Sequence, residues 1–198
     1  MNDSLDTPRF TFQAAPIAGL WIVDRKPIGD NRGSFTRFYC GEEFAAIGLQ
    51  DPIVQINHSS SARAGTVRGL HFQHAPHAET KVVTCVAGSI LDVAVDLRAG
   101  SPTFLQWFGV ELSADNKRGL IIPPGFAHGF QSLEDHSEVM YLVTAAYSAQ
   151  FEDGLSPFDP AVGVVWPLPP TEVSARDAQR PFIDRDAYAG VAAQGADR

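Results

Sequence analysis

Residues 81–97 read Lys81-Val82-Val83-Thr84-Cys85-Val86-Ala87-Gly88-Ser89-Ile90-Leu91-Asp92-Val93-Ala94-Val95-Asp96-Leu97, and this stretch decides the fold class. Apolar and β-branched residues fill both halves, which is typical of strands, and the small residues 87–89 mark a turn between them. Because strand side chains alternate, every second residue from Leu91 to Leu97 shares one face, and Asp92 and Asp96 share the other. Two strands joined this closely predict a β-hairpin.

Strand signals continue on both sides of this stretch. Further strands are predicted at 20–24, 33–38, 53–57, 66–73, 106–112, 119–122 and 138–144. The helical candidates are short, Glu42–Ile47 and a turn starting at Ser174. After about residue 150 the chain is rich in Pro and Asp, which indicates loops packed on the strands. Many short strands joined by tight turns predict an all-β sandwich, barrel or jelly roll with short peripheral helices.

Length and charge exclude several classes of protein. The 198 residues correspond to a single domain, with a core at about 19–183 and a frayed tail at 190–198. The 15 Lys and Arg against 23 Asp and Glu give a net charge of −8, which argues against nucleic-acid and membrane partners. No apolar stretch reaches membrane-spanning length, and the first residues do not resemble a signal peptide. The two cysteines fit a reducing cytoplasm.

The most informative polar segment is Arg68-Gly69-Leu70-His71-Phe72-Gln73. On a strand, His71 and Gln73 point to one side and the apolar residues to the other, an arrangement that could line a polar cavity. Taken alone, His71 is more typical of a structural histidine. Lys81 is equally compatible with a solvated strand edge and with a pocket.

Two later segments carry further polar candidates. Residues 123–130 combine a Pro-Pro-Gly turn with His128, which has small neighbours that leave room for a ligand. A histidine that caps a turn in the core is the other interpretation. Tyr141 shares a strand face with apolar residues, and a tyrosine there is usually a core residue with its hydroxyl at the rim.

Together these segments resemble the dTDP-4-dehydrorhamnose 3,5-epimerase family. The motifs that carry the resemblance are Asp30-Asn31-Arg32-Gly33, Gln55-x-Asn57, residues 68–73, Lys81, residues 125–130, Tyr141 and Ser174-Ala175-Arg176-Asp177, in this order. The resemblance implies a cupin-type jelly roll (a double-stranded β-helix) and a homodimer. It also implies a nucleotide-linked 4-keto-6-deoxyhexose as substrate, most simply dTDP-linked, with no metal and no redox cofactor.

The resemblance also assigns catalytic roles. His71 matches the base that removes a proton from carbon, and Asp177 matches the carboxylate that orients it. Tyr141 matches the acid that reprotonates carbon from the opposite face. Lys81 matches the cation beside the enolate oxygen. The 4-keto group acidifies the hydrogens on C3 and C5, and such proton transfers need a base, an acid and a charge-stabilising group.

A second set of positions matches residues that hold the substrate. They are Arg32, Gln55, Asn57, Arg68, His128, Glu152 and Arg176, with Tyr147 stacking on the base. We expect Asp92 to be the partner of His128. The chain departs from the family pattern at Ile28, where an aromatic residue is usual, and at Arg37, where a Glu is usual, so the preferred base stays open.

Several alternatives stay open at this stage. A single-site 3-epimerase or a 3,4-ketoisomerase would use the same enolate chemistry. A metal-dependent cupin could use His71, His74, Glu79 and His128 as ligands, although Lys81 would be an unfavourable neighbour and the usual His-x-His pair is absent. A non-catalytic sugar-nucleotide binder would need no acid–base pair.

Overall fold

The computed structural model describes residues 4–192, and β-strands make up nearly all of its regular structure. The strands are β1 Ser4–Asp6, β2 Phe10–Ala14, β3 Trp21–Arg25, β4 Ile28–Asp30, β5 Gly33–Phe35, β6 Gln55–Ser61, β7 Val67–Gln73, β8 Lys81–Ala87, β9 Ser89–Asp96, β10 Trp107–Ser113, β11 Arg118–Ile122, β12 Phe126–Ser132, β13 Ser137–Val143 and β14 Glu152–Gly154. The helices are α1 Gly41–Ala45 and α2 Ala175–Ala178. No helix among these residues is long and apolar enough to cross a membrane.

Two antiparallel sheets face each other. The larger has the order β1-β2-β3-β11-β8-β13-β6 and the smaller β10-β9-β12-β7-β14, while β4 and β5 form a separate hairpin. The core between the sheets is apolar and includes Ile90, Leu120 and Phe130. This is the predicted all-β jelly roll, with short helices at its periphery.

The predicted hairpin within residues 81–97 is wrong. Strand β8 lies between β11 and β13 in the larger sheet, whereas β9 lies between β10 and β12 in the smaller one. The chain changes sheets at Gly88, whose φ is +66°, and a Cβ there would lie 2.7 Å from the Ser137 hydroxyl oxygen. Both strands are largely buried on both faces, so each can occupy a central place in its own sheet. The predicted alternation within β9 is confirmed, since Ile90 and Ala94 face the other sheet and Val93 and Val95 face outward.

Each sheet also buries its outer face. Helix α1 contributes Phe44, which packs edge-on against Phe10 and Phe12 on the larger sheet. The Pro-rich segment after residue 150 covers the smaller sheet with residues such as Leu155 and Trp166. This packing is what holds the C-terminal segment, and with it α2, against β7.

The predicted strand set and the predicted C-terminal tail also need correction. Strand β12 was not predicted, because its glycine, alanine and histidine lower the strand signal after a Pro-Pro-Gly turn. In the structure, β12 is stabilised as a strand by pairing with β9 on one side and β7 on the other. Strands β1, β2 and β4 were missed as well, and the segment after residue 150, predicted as loops and turns, contains β14, which pairs with β7. The predicted fraying does not hold for Val191, whose N–H donates to the carbonyl of Leu97 at 2.8 Å. The rest of that predicted tail, residues 193–198, lies outside the described residues.

A buried carboxylate stabilises the loop after β9. Asp96 accepts hydrogen bonds from the Arg98 guanidinium and from the hydroxyls of Ser101 and Thr103. Burial acts to raise the pKa of Asp96, but these donors outweigh it and lower the pKa to about 2. The loop's fold therefore depends on an ionised Asp96.

We expect Asp96→Asn to lower the free energy of unfolding at pH 7 by about 2 kcal/mol. The reason is that the substitution removes a carboxylate that its hydrogen-bond donors stabilise in the folded protein, and the lowered pKa reports this stabilisation. A depressed pKa adds stability above the unfolded pKa of about 4, and this stability is lost as the pH falls toward about 2. Urea unfolding at pH 7 and at decreasing pH measures the difference. Asp115→Asn, at an exposed position, is the control. Equal stability of Asp96→Asn and wild type at pH 7 would refute this account.

Candidate active site

Two adjoining cavities, each of about 500 Å³, open between the sheets. His71, Lys81 and Tyr141 line both of them. His71 belongs to β7 in the smaller sheet, whereas Lys81 and Tyr141 belong to β8 and β13 in the larger sheet. The imidazole and the phenol therefore enter the same space from opposite walls.

The His71 imidazole is held by a carboxylate from a distant segment. Its Nε2 lies 2.6 Å from Oδ1 of Asp177, which is buried at the start of α2. Ser174 caps this helix by accepting a hydrogen bond from the Asp177 N–H. The N–H of Gly69 lies 3.4 Å from the other carboxylate oxygen. The short predicted turn at Ser174 thus brings a fixed, oriented carboxylate to β7.

The pKa of Asp177 is below its usual range. Burial acts to raise it, but the hydrogen bond and charge of His71, together with the donors from Ser174 and Gly69, lower it overall. An ionised Asp177 fixes which imidazole nitrogen carries the proton and stabilises the imidazolium once it forms. The exposed edge of the ring, with about a third of its surface accessible, faces the cavity.

Lys81 lies in the pocket and not at a solvated edge. Its side chain is 12% exposed, and Nζ lies 3.3 Å from Oε1 of Glu79. The ammonium also donates a hydrogen bond of 3.4 Å to the backbone carbonyl of His71. The cation therefore sits beside the base.

Tyr141 is half-buried on the inner face of β13, where its ring packs against the core. Burial raises the pKa of its phenol, and the charge of Glu79 raises it further. The phenol stays protonated at neutral pH and can donate a proton into the cavity. Sequence reasoning from Tyr141 alone indicated a core residue, and the structure shows that it packs on the core and also lines the site.

His128 and Asp92 form a second buried pair. His128 Nε2 lies 2.7 Å from Oδ1 of Asp92, as predicted, and both residues are less than 9% exposed. His128 is the cross-strand neighbour of His71 and lines the first cavity. His128 lies within strand β12 and does not cap a turn, so the interpretation as a turn-capping histidine is wrong.

The remaining predicted binding residues, except Arg32, line one or the other of the two cavities. Arg68 and Arg176 line the first. The second is lined by Gln55, Asn57, Tyr147 and Glu152. Glu152 connects the two groups, since its Oε2 lies 2.8 Å both from the Tyr147 hydroxyl and from the Arg176 guanidinium.

Arg32 is not brought to these cavities within one chain. It lies on the β4–β5 hairpin, is 85% exposed and pairs with Asp30. Ile28 lies on the same hairpin, and Arg37 pairs with Glu43 of α1. The hairpin is a sheet of its own, and no backbone ladder joins it to the walls of the site.

Sequence reasoning considered Glu79 only as a possible metal ligand, although it lines the second cavity. It did not identify Ser59, Thr66 and Glu172, which line the first. The i, i+2 spacing of Glu79 and Lys81 was a usable signal, because in extended chain leading into β8 it directs both side chains to the same side. Ser59 carried no comparable signal.

The interpretation as a metal-dependent cupin requires three or more ligands around one point. Within residues 4–192, no group of three His, Cys, Asp or Glu side chains could hold a metal ion. All four proposed ligands have other side-chain partners: His71 with Asp177, His74 with Asp153, Glu79 with Lys81 and His128 with Asp92. The structure therefore gives that interpretation no ligand set.

The fold and the cavity together define the class, a cupin-type jelly roll whose interior is equipped for proton transfer. A model of the dTDP-4-dehydrorhamnose 3,5-epimerase family matches residues 14–185. The Salmonella typhimurium enzyme of that name is 46% identical over 173 residues, covering 85% of this chain and 93% of the relative. The chain belongs to the dTDP-4-dehydrorhamnose 3,5-epimerase family and is an isomerase.

Solved structures agree with this assignment. The epimerase RmlC of Legionella pneumophila, in complex with dTDP-4-keto-L-rhamnose, superposes with a TM-score of 0.87 at 37% identity, covering 94% of this chain and 100% of that one. A 3'-monoepimerase from Streptomyces bikiniensis, ChmJ in complex with dTDP-quinovose, gives a TM-score of 0.79 at 33% identity, covering 85% of each chain. This chain shares the cupin-type jelly-roll fold with both of these proteins.

Proposed function

We propose that this protein converts dTDP-4-dehydro-6-deoxyglucose to dTDP-4-dehydrorhamnose by inverting C3 and C5. The observation that carries the proposal is the entry of His71 and Tyr141 into one cavity from opposite sheets. Inversion requires a proton to leave one face of the ring and another to arrive on the other face. A base and an acid on opposite walls meet that requirement.

The chemistry proceeds through an enolate. His71 removes the proton on C3 or C5, and the electron pair of the C–H bond moves to the 4-keto oxygen. The imidazolium is stabilised by Asp177, 2.6 Å away. Tyr141 then donates its phenolic proton to the same carbon from the other side, and the carbonyl re-forms. Solvent restores the protonation states of both side chains.

Lys81 is the group that we assign to the enolate oxygen. A buried cation fixed beside the base stabilises negative charge as it develops, and such preorganised groups supply about 3–4 kcal/mol in other enzymes. Lys81 belongs to the larger sheet, and its 3.4 Å hydrogen bond to the His71 carbonyl oxygen supports a position near both the acid and the base.

The nucleotide end of the substrate is assigned to the arginines and to Tyr147. Arg68 and Arg176 line the first cavity, and a guanidinium fork matches the oxygens of a diphosphate. Tyr147 is 57% exposed, which leaves its ring available for stacking on a base. Gln55, Asn57, Glu152 and His128 complete the proposed set.

We expect Asp177→Asn to lower kcat by about a hundredfold to a thousandfold and to change KM little, because the imidazolium loses its counter-charge and its orientation. Steady-state kinetics on the dTDP-linked substrate measures both constants. Asp184→Asn, at an exposed position, is the control. A kcat of Asp177→Asn within twofold of wild type would remove Asp177 from the mechanism.

A single-site 3-epimerase is the second candidate function. The observation in its favour is the likeness to the 3'-monoepimerase described above, which shares the fold. Ring-proton coupling constants of the product, measured by NMR in ordinary water, separate the two. Inversion at both C3 and C5 supports the proposal, and inversion at C3 alone supports the second candidate.

We also propose that the protein is cytoplasmic. Cys40 and Cys85 are both free thiols, as expected in a reducing compartment.

We propose in addition that the protein forms a homodimer. The β4–β5 hairpin exposes Ile28 and Phe35, and Arg32 on it lies away from the cavities of its own chain. A second copy that covers this hairpin would bury these side chains. Light scattering of the purified protein tests the dimer.

A further inference from the structure

A carboxylate with no assigned role lies beside the catalytic lysine. Glu79 lines the second cavity together with Lys81 and Tyr141, and its side chain is only 9% exposed. A charged group this deeply buried needs compensation. The groups that contact its two oxygens therefore indicate its role.

Both Glu79 oxygens are engaged. Oε1 lies 3.3 Å from the Lys81 ammonium. Oε2 accepts a hydrogen bond from the side-chain amide of Gln73. Gln73 is itself fixed, because its Oε1 accepts a hydrogen bond of 2.7 Å from the backbone N–H of Ser148. A carboxylate occupied on both sides is poorly placed to exchange protons with substrate and well placed to hold a neighbour.

We propose that Glu79 is a positioning residue, which uses its Gln73-anchored carboxylate to hold the Lys81 ammonium beside the reacting ketone. The proposal rests on the function proposed above, in which Lys81 stabilises the enolate. Among residues 4–192, the Lys81 ammonium has one other polar contact, the 3.4 Å hydrogen bond to the His71 carbonyl. A lysine side chain is flexible, so the single weak contact would not fix the ammonium at one point.

The position of Glu79 also affects the acid across the cavity. The negative charge of Glu79 is, after burial, the largest influence that raises the pKa of the Tyr141 phenol. Other charged or titratable groups line the cavities together with the phenol: Arg68, His71, Lys81, His128, Tyr147, Glu152, Glu172, Arg176 and Asp177. Removing the carboxylate should therefore lower the pKa of Tyr141 and move the alkaline limb of the rate profile to lower pH.

The test compares wild type, Glu79→Gln and Glu79→Asp, with Glu138→Gln as the control. Glu138 pairs with His58 outside the cavities. We expect Glu79→Gln to lower kcat about tenfold to a hundredfold with KM changed less than about threefold, as for a misplaced catalytic group. The alkaline limb should shift to lower pH in Glu79→Gln and stay in place in Glu79→Asp and Glu138→Gln. An unchanged or raised kcat in Glu79→Gln would overturn the positioning role, and an unmoved alkaline limb would reject the effect of Glu79 on Tyr141.

A second measurement does not depend on turnover. Reductive methylation of the folded protein, followed by peptide mass spectrometry, reports how accessible the Lys81 amine is. We expect severalfold faster methylation of Lys81 in Glu79→Gln than in wild type or Glu138→Gln. Equal rates would overturn the positioning role even if the enzyme is active. Faster methylation in a protein whose wild type fails to turn over would support the positioning role and reject the proposed function.

Discussion

Replacing His71 by asparagine is expected to lower kcat by a factor of about a hundred to ten thousand, the range that general base catalysis supplies. Asparagine keeps a polar side chain on this wall of the cavity but has no nitrogen that can take up a proton at neutral pH, so the change removes the base. The same variant should slow the exchange of substrate hydrogens with solvent at C3 and C5 by a comparable factor. Steady-state kinetics and NMR in deuterium oxide measure the two effects.

The matched control is His58→Asn. His58 lies on an exposed position of β6 and pairs with Glu138 outside the cavities, so its replacement should leave kcat unchanged. Persistent exchange in His71→Asn at the wild-type rate would show that another group removes the proton, and the assignment of the base would be wrong.

Replacing Tyr141 by phenylalanine is expected to separate proton removal from inversion. His71 can still form the enolate, so deuterium should continue to enter the substrate from the base side. Inversion should slow by a factor of about a hundred or more, because the opposite wall no longer carries a proton donor. Deuterium content and product configuration, followed by NMR in the same sample, give the two rates.

Tyr39→Phe is the control for this change. Tyr39 packs against Phe44 on the outer face of the larger sheet, away from the cavities, and its replacement should affect neither rate. Exchange and inversion that fall by the same factor in Tyr141→Phe would mean that one side chain serves both steps. That result would contradict the assignment of acid and base to opposite sheets.

The sequence predicted local structure better than sheet membership. The alternation of residues 69–73 correctly placed His71 and Gln73 toward the cavity, with Leu70 and Phe72 in the outer cluster. The β8–β9 hairpin failed because a short turn gives no information on whether the next strand stays in the same sheet. That choice depends on pairing with distant strands, which the local pattern does not contain.

The site was predictable mainly through resemblance. A lone Tyr141 or Lys81 had an ordinary structural interpretation, and only the ordered set of motifs indicated that they meet. The contact of His71 with Asp177 spans 106 positions of sequence, so no local pattern could reveal it. Glu79 escaped a role because its significance comes from the Lys81 and Gln73 atoms around it.

The central claim is that one cavity presents a base and an acid to opposite faces of the same sugar ring. Its most direct test is incubation of the wild-type protein with dTDP-4-keto-6-deoxyglucose in deuterium oxide, with C3 and C5 followed by NMR. The account predicts that deuterium enters at both carbons and that both configurations invert. A substrate that keeps its hydrogens and its configuration at both carbons would contradict it.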